Sequence, residues 1–279
     1  MGKRTFICSR EKLDELYVDK NLSMATIATL HGVTRLCVRN HLLKHSIPIR
    51  NRNGQYGDKP TYDENVFQKW TPEMAWMLGY ISADGCLRPK RYELKFKSID
   101  YDMLEFVRHW FRSNQPIKSE KNSNCYTFYI YSKSIITALE AMGIHHRKTF
   151  TIMPAPVPDK FFWDYLGGLI DGDGHIRIYP DTSARVSVSL LGNSLFIEAI
   201  SNRIASLLES SPQKPNKRGK IVDLVYCGDS AETILRNVYL TNTFRLPRKK
   251  TTALRSLDKR HRLIHNVDAY KKGRLLTKS

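Results

Sequence analysis

Two aspartates end two related stretches of this chain, "WMLGYISADGCL" at 76–87 and "YLGGLIDGDGHI" at 165–176. Each stretch is an apolar helix pattern with small residues four apart, Gly79 and Ala83 in the first, Gly168 and Gly172 in the second. Residues four apart share one helix face. Such a smooth stripe lets two helices pack backbone to backbone, by sterics best documented in membranes. The two stretches are therefore expected to pair and to bring Asp84 and Asp173 together. A carboxylate at a helix C-terminus opposes the macrodipole, at about 0.3–1 kcal/mol, and two such carboxylates repel. A positive group between them relieves both costs, and hard oxygen donors favour Mg²⁺ or a similar ion over zinc. Gly85 and Gly174 follow directly and suit the left-handed residue that ends many helices. A single Gly-Asp-Gly reads as an ordinary turn; two at corresponding places of a repeat read as a shared device.

The elements around these acids repeat. After the first motif come a strand pair, the helix "DMLEFVRHWF", a second strand pair ending in "YTFYIYS", the helix "SIITALEAMG", and "RKT" at 147–149. The second copy keeps that order through "ARVSVSLL", "NSLFIEAISNRIASLLE", "KIVDLVYC", "SAETILRNVYL" and "RKKT" at 248–251, with "TIMPAPVPDK" at 151–160 as connector. An α+β architecture of two similar subdomains is expected. In "RYELKFKS", Tyr92, Leu94, Phe96 and Ser98 alternate with Arg91, Glu93, Lys95 and Lys97. In the second copy His175, Arg177, Arg185, Ser187 and Ser189 are set against Ile176, Ile178, Val186, Val188 and Leu190. Period-two alternation covers helices with one sheet face and leaves the other polar and mostly basic. Such ribbons suit a DNA groove, the alternative being a solvated face. Lys217 and Arg218, just ahead of the last strand, join this basic set.

Upstream, residues 10–44 carry three short helical patterns. Leu13, Leu16 and Tyr17 share one face, Ile27 and Leu30 lie on the second helix behind the N-cap Ser23, and "HGVT" at 31–34 offers a glycine turn before Thr34 caps a third helix. This is a helix-turn-helix spacing, which points Arg35, Leu36, Arg39 and Asn40 toward bases; a three-helix protein-interaction unit is the other reading. The segment "HSIPIRNRNGQYGDKP" reads as a linker, whose Arg50 and Arg52 either follow a DNA backbone or are simply solvated. The expected boundaries are 1–45 for the helical domain, 46–64 for the linker, 65–150 and 161–255 for the subdomains, and 256–279 for a basic tail.

Composition fits a polyanion partner. The 279 residues carry 45 Lys and Arg against 27 Asp and Glu, a formal charge of +18, and such a surface attracts nucleic acid. Five scattered cysteines without a C-x-x-C pair argue against structural zinc and a disulfide framework. No apolar run suits a signal peptide or a membrane span, so a soluble protein of a reducing compartment, cytoplasmic or organellar, is expected.

At "MLGYISADG" (77–85) and "LGGLIDGDG" (166–174) the chain resembles the LAGLIDADG homing endonucleases of the single-chain, two-motif type, over about residues 65–255. That resemblance implies two αββαββα subdomains whose motif helices form their interface and whose antiparallel sheets make a saddle in the major groove of a long, asymmetric double-stranded DNA site. It implies that Asp84 and Asp173, with Ala83 and Gly172 beside them, hold divalent metal, Mg²⁺ or another cation such as Mn²⁺, and that both strands are cut. Family members often place a basic residue near the metals after the last strand of a subdomain, which here is Lys133, opposite Asp229 in the second copy; a solvated lysine is the alternative. Ser82 replaces the usual first acid that Asp171 retains. The resemblance leaves two other activities open, an intron RNA maturase and a non-cleaving DNA-binding regulator. A monomer without membrane partners is expected.

Overall fold

The computed structural model describes residues 8–50, 60–121, 123–146, 148–179 and 185–258. Arg52, Arg147, the middle of the expected linker and the tail beyond residue 258 lie outside the described residues. The chain forms two compact units, Met1–Thr61 and Tyr62–Ser279.

In the first unit α1 (Arg10–Leu13) runs straight into a π-helical segment, Asp14–Asp19, followed by α2 (Met24–His31) and α3 (Arg35–Lys44). Ser23 accepts from the backbone N–H of Thr26 and Thr34 from that of Cys37, so each helix begins on a side-chain cap. Gly32 takes the left-handed conformation, φ 65°, that turns α2 into α3. Leu13, Leu16, Tyr17, Ile27, Val38 and Leu42 form the core, whereas Leu30 is 64% exposed and contributes nothing to it. The unit extends beyond residue 45. Ile47 is buried in the core, and Arg50 folds back onto the Tyr17 ring and donates to the carbonyls of Asn21 and Leu22.

The second unit begins at Tyr62, with Phe67 in its core and the Ser132 hydroxyl donating to Glu64. It contains two copies of one plan. The first is α4 (Pro72–Asp84), β1 (Cys86–Arg88), β2 (Glu93–Ser98), α5 (Tyr101–Trp110), β3 (Lys118–Ser119), β4 (Tyr126–Tyr131) and α6 (Lys133–Ala141). The second is α7 (Phe162–Gly172), β5 (His175–Ile178), β6 (Val186–Gly192), α8 (Ser194–Leu207), β7 (Asn216–Arg218), β8 (Ile221–Cys227) and α9 (Gly228–Tyr239), and residues 247–258 are again helical. The sheets are antiparallel with orders β1-β2-β4-β3 and β5-β6-β8-β7, so the αββαββα order expected of each half is present.

Helices α5 and α8 cover one face of their sheets, because Leu94, Phe96, Val186, Val188 and Leu190 are the inward residues of the alternation. Tyr92 departs from that pattern. It adopts a left-handed conformation, φ 49°, after the turn Pro89–Arg91, and is 45% exposed. Arg91 therefore belongs to a turn and not to a strand face.

Candidate active site

Helices α4 and α7 lie against each other along the stripes that the sequence marks. Helix α4 starts from a Thr71 cap with Pro72 in its first turn, and every residue from Met74 to Ser82 is buried. A helix buried on all sides is enclosed by other elements of the core. A Cβ added at Gly79 would fall 2.0 Å from the carbonyl oxygen of Tyr165, and one at Gly168 2.0 Å from that of Trp76. One step along, a Cβ on Gly172 would fall 2.4 Å from that of Ala83 and 3.6 Å from the Asp84 carboxyl carbon. These contacts bring both helix ends together, each carrying an aspartate whose tip is exposed.

Protein crowding the base of Asp84, and then the negative charge of Asp173, push its pKa up to about 6. Three cations oppose that rise, Lys249, Lys148 and Arg248. Sequence reading missed the two lysines, though the repeated "RKT" and "RKKT" ends were their signal. Lys249 is buried and its ammonium donates to the carbonyls of Ile170 (2.5 Å), Asp171 (3.0 Å), Gly172 (3.0 Å) and Gly174 (2.7 Å). Lys148 donates to the carbonyl of Gly85. Each thus meets the negative end of a motif helix, which answers the dipole cost of the aspartates. Burial lowers the Lys249 pKa to about 8 and also lowers that of Lys148, while both aspartates pull the other way.

Several expected roles need correction. Neither Gly85 (φ −68°) nor Gly174 is left-handed; their need for glycine is space, since a Cβ would fall 2.7 Å from the Ile81 carbonyl oxygen and 2.5 Å from the Ile170 Cα. The Gly172 carbonyl accepts from Lys249 at 3.0 Å and keeps a second lone pair. Lys133 stands in the first turn of α6, 5.9 Å over the Tyr92 ring. The register Arg88↔Glu93↔Tyr131 puts the end of β4 at the end of β1 remote from Asp84, so Lys133 follows the wrong end of the strand for the acids. Arg50 is spent on its own unit.

Asp171 supports the site from behind. Its carboxylate is buried and accepts from the Trp76 indole (2.9 Å), the Tyr239 hydroxyl (2.9 Å) and the Leu246 backbone N–H (3.0 Å). At the equivalent place in the other half Ser82 lies beside Tyr165. Arg245 fills the space left by Gly167, where a Cβ would fall 2.7 Å from its Nε, and pairs with buried Asp164 at 2.9 Å.

On the outer faces of the sheets, His175 and Ser189 stand opposite each other, as do Arg177 and Ser187, and Arg185 precedes β6. Lys95 and Lys97 share the outer face of β2, and both pair with Glu120, at 3.5 and 2.6 Å. Glu93 occupies that face too but is buried at 2%, ion-paired to Arg88, and Ser187 is buried at 6%; both are covered by their sheet neighbours and offer nothing to a ligand directly. Arg218 lies on the outer face and pairs with buried Asp223 at 2.8 Å, while Lys217, in register with core Val222, has the opposite parity. In the first unit Arg35, Leu36, Arg39 and Asn40 are all exposed on α3, and the first three line a groove of about 880 Å³ with Tyr17 and Asn21.

The two carboxylates provide only oxygen donors. Among the described residues no group of three or more His, Cys, Asp and Glu side chains converges as a metal cage. Two carboxylates with open tips fit Mg²⁺, which keeps several waters and takes the rest of its shell from substrate phosphate. Among the described residues no helix is long and apolar enough to cross a membrane.

No protein-family model matches the chain, and no curated protein does. Among solved structures it is similar to meganuclease I-SmaMI bound to uncleaveable DNA, at 13% identity over 73% of this chain and 98% of that one, with a TM-score of 0.49. It is similar also to the LAGLIDADG meganuclease I-AabMI bound to uncleaved DNA, at 11% identity over 71% and 92%, TM-score 0.49. A third is I-SmaMI bound to an uncleaved DNA target in the presence of calcium ions, at 15% identity over 74% and 99%, TM-score 0.47.

Proposed function

We propose that the chain is a site-specific double-strand DNA endonuclease in which Asp84 and Asp173 hold divalent metal, Mg²⁺ or a similar cation. The observation that carries this reading is the pairing of α4 and α7, which sets two open-tipped aspartates side by side in a protein of charge +18. A structural role gives no reason to place both acids at helix ends that disfavour them. A divalent cation bound there supplies neutralisation of the phosphate and activation of water. The chain supplies the rest. Asp84 and Asp173 anchor, Lys148 and Lys249 hold the helix ends in place, and Lys95, Lys97, His175, Arg177, Arg185 and Ser189 face the groove. Exposed Arg35, Leu36, Arg39 and Asn40 on α3 add a second DNA contact.

The test is selection of bound sequences from a randomised duplex DNA library by the full chain, followed by incubation of the selected duplex with Mg²⁺. Double-strand breaks are expected with the wild type. Asp84→Asn and Asp173→Asn are expected to retain the selected sequence and to lose cleavage by roughly 10³-fold or more. Cleavage that persists in both variants removes the aspartates from the reaction.

A further inference from the structure

The outer faces of the two sheets correspond position by position, and one matching pair of arginines differs in what stands across from it. Arg88 and Arg177 each stand four residues after a motif aspartate, on β1 and β5. Each faces the neighbouring strand, Arg88 opposite Glu93 and Arg177 opposite Ser187. Buried Glu93 holds Arg88 in an ion pair at 3.2 Å. Ser187 carries no charge. Among the described residues Arg177 meets no carboxylate, and its guanidinium carbon lies 4.7 Å from the centre of the Tyr179 ring. Contact with an aromatic ring restrains the planar group without using its N–H donors.

We infer that Arg177 is a specificity-determining residue that reads a guanine in the half-site under the second sheet, while Arg88 reads none at the equivalent place. This rests on the endonuclease reading above, in which the sheets enter the major groove. A guanidinium donates two parallel hydrogen bonds to O6 and N7 of guanine, the pairing that best distinguishes this base in that groove. For Arg88 to do the same it must leave Glu93 buried, charged and unpaired beside a polyanion, a large penalty. Arg177 has no such penalty and arrives with its fork already restrained. Arg177 follows Asp173 by four residues, the last three of them in β5, so it stands at most about 13 Å away, a reach of up to about four base-pair steps. The guanine is thus expected within about four base pairs of the cleavage centre, on one side only.

The test uses the randomised duplex library with the full chain and compares wild type with Arg177→Ala, Arg88→Gln, Glu93→Ser and Ser187→Glu. The wild type is expected to enrich one guanine within that distance in one half-site. Arg177→Ala should relax that position alone, by about ten-fold in preference, and Arg88→Gln should leave the consensus unchanged. Freeing Arg88 by Glu93→Ser should create a guanine at the equivalent position of the other half-site, and Ser187→Glu should abolish the original one. Arg177 and Arg88 are exposed, so those two variants keep the inference testable even where the buried substitutions unfold the chain. A consensus untouched by Arg177→Ala, or a guanine lost in Arg88→Gln, overturns it. A wild type that selects no sequence overturns the endonuclease reading as well, whereas a selected consensus with the guanine pattern misplaced overturns the inference alone.

Discussion

Across the α4–α7 contact, Trp76 of the first half donates to Asp171 of the second, and Tyr165 of the second lies beside Ser82 of the first. One equivalent pair thus uses a buried carboxylate and the other a hydroxyl. Behind them Lys249 ties four carbonyls while Lys148 ties one. Around the halves, Arg248 pairs with Asp100 at 3.0 Å, whereas at the matching loop Asn193 donates to the Ile152 carbonyl at 2.9 Å. What stays equal is the glycine contact, 2.0 Å on both sides. Backbone contact leaves one solution, because any side chain there pushes the helices apart. Polar support has many solutions, so the halves can differ in it without moving the aspartates.

The sharpest test of what is equal is a methyl group at either glycine. Gly79→Ala and Gly168→Ala each drive a Cβ into the facing backbone, and each is expected to cost at least about 3 kcal/mol in denaturant unfolding. A loss under about 1 kcal/mol at one of them would break the equivalence of the two helices. The next largest effect concerns the lysines. Lys249→Met strands carbonyls that one ammonium satisfies and should cost about 2 kcal/mol, against about 1 kcal/mol for Lys148→Met; equal losses would erase the proposed imbalance. Asp171→Asn leaves one acceptor oxygen for three donors, so a loss of about 1–2 kcal/mol is expected, while Ser82→Ala should stay within about 0.5 kcal/mol. Urea titration of both variants measures the difference.

The smallest effect is a pH slope. Asp84 is an acid whose folded pKa is raised from 3.8 to about 6, so the folded state holds its proton more tightly than the unfolded chain. Its contribution to stability is complete below about pH 4 and is lost as the pH rises through about 6. Thermal melts in chelator between pH 4 and 7 should show that decline, and Asp84→Asn should remove its share. Asp173→Asn should remove only part, because crowding by protein is the larger cause.

Much of this was legible in the sequence because local patterns carried it. The glycine stripes, the two aspartates, the strand alternation and the repeat order all depend on residues near one another in the chain, and each period is set by helix or strand geometry. What sequence missed depends on distant chain segments meeting. Lys249 reaches the end of α7 from beyond α9, and nothing in "RKKT" states which carbonyls it will meet. Glu93 alternates correctly with Leu94 yet is buried, because Arg88 on the next strand closes over it. In the sequence Arg50 reads as a linker cation, but its partners, Tyr17, Asn21 and Leu22, lie in and just after the π-helical segment of its own unit. The resemblance puts Lys133 near the acids, and the direction of β4 carries it away from them.

The segment containing Phe244, Arg245, Leu246 and Lys249 has a consequence for the order in which the protein is made. Phe244 stacks on Phe106 at 3.8 Å and packs on Trp76, Leu246 donates to Asp171, and Lys249 closes the end of α7. These are among the last described residues to leave the ribosome, and they lock the seam between the halves. A growing chain therefore has both aspartates long before it has the clasp that fixes them. The two helix ends are thus clasped only once Lys249 has followed, 249 − 173 = 76 residues after Asp173.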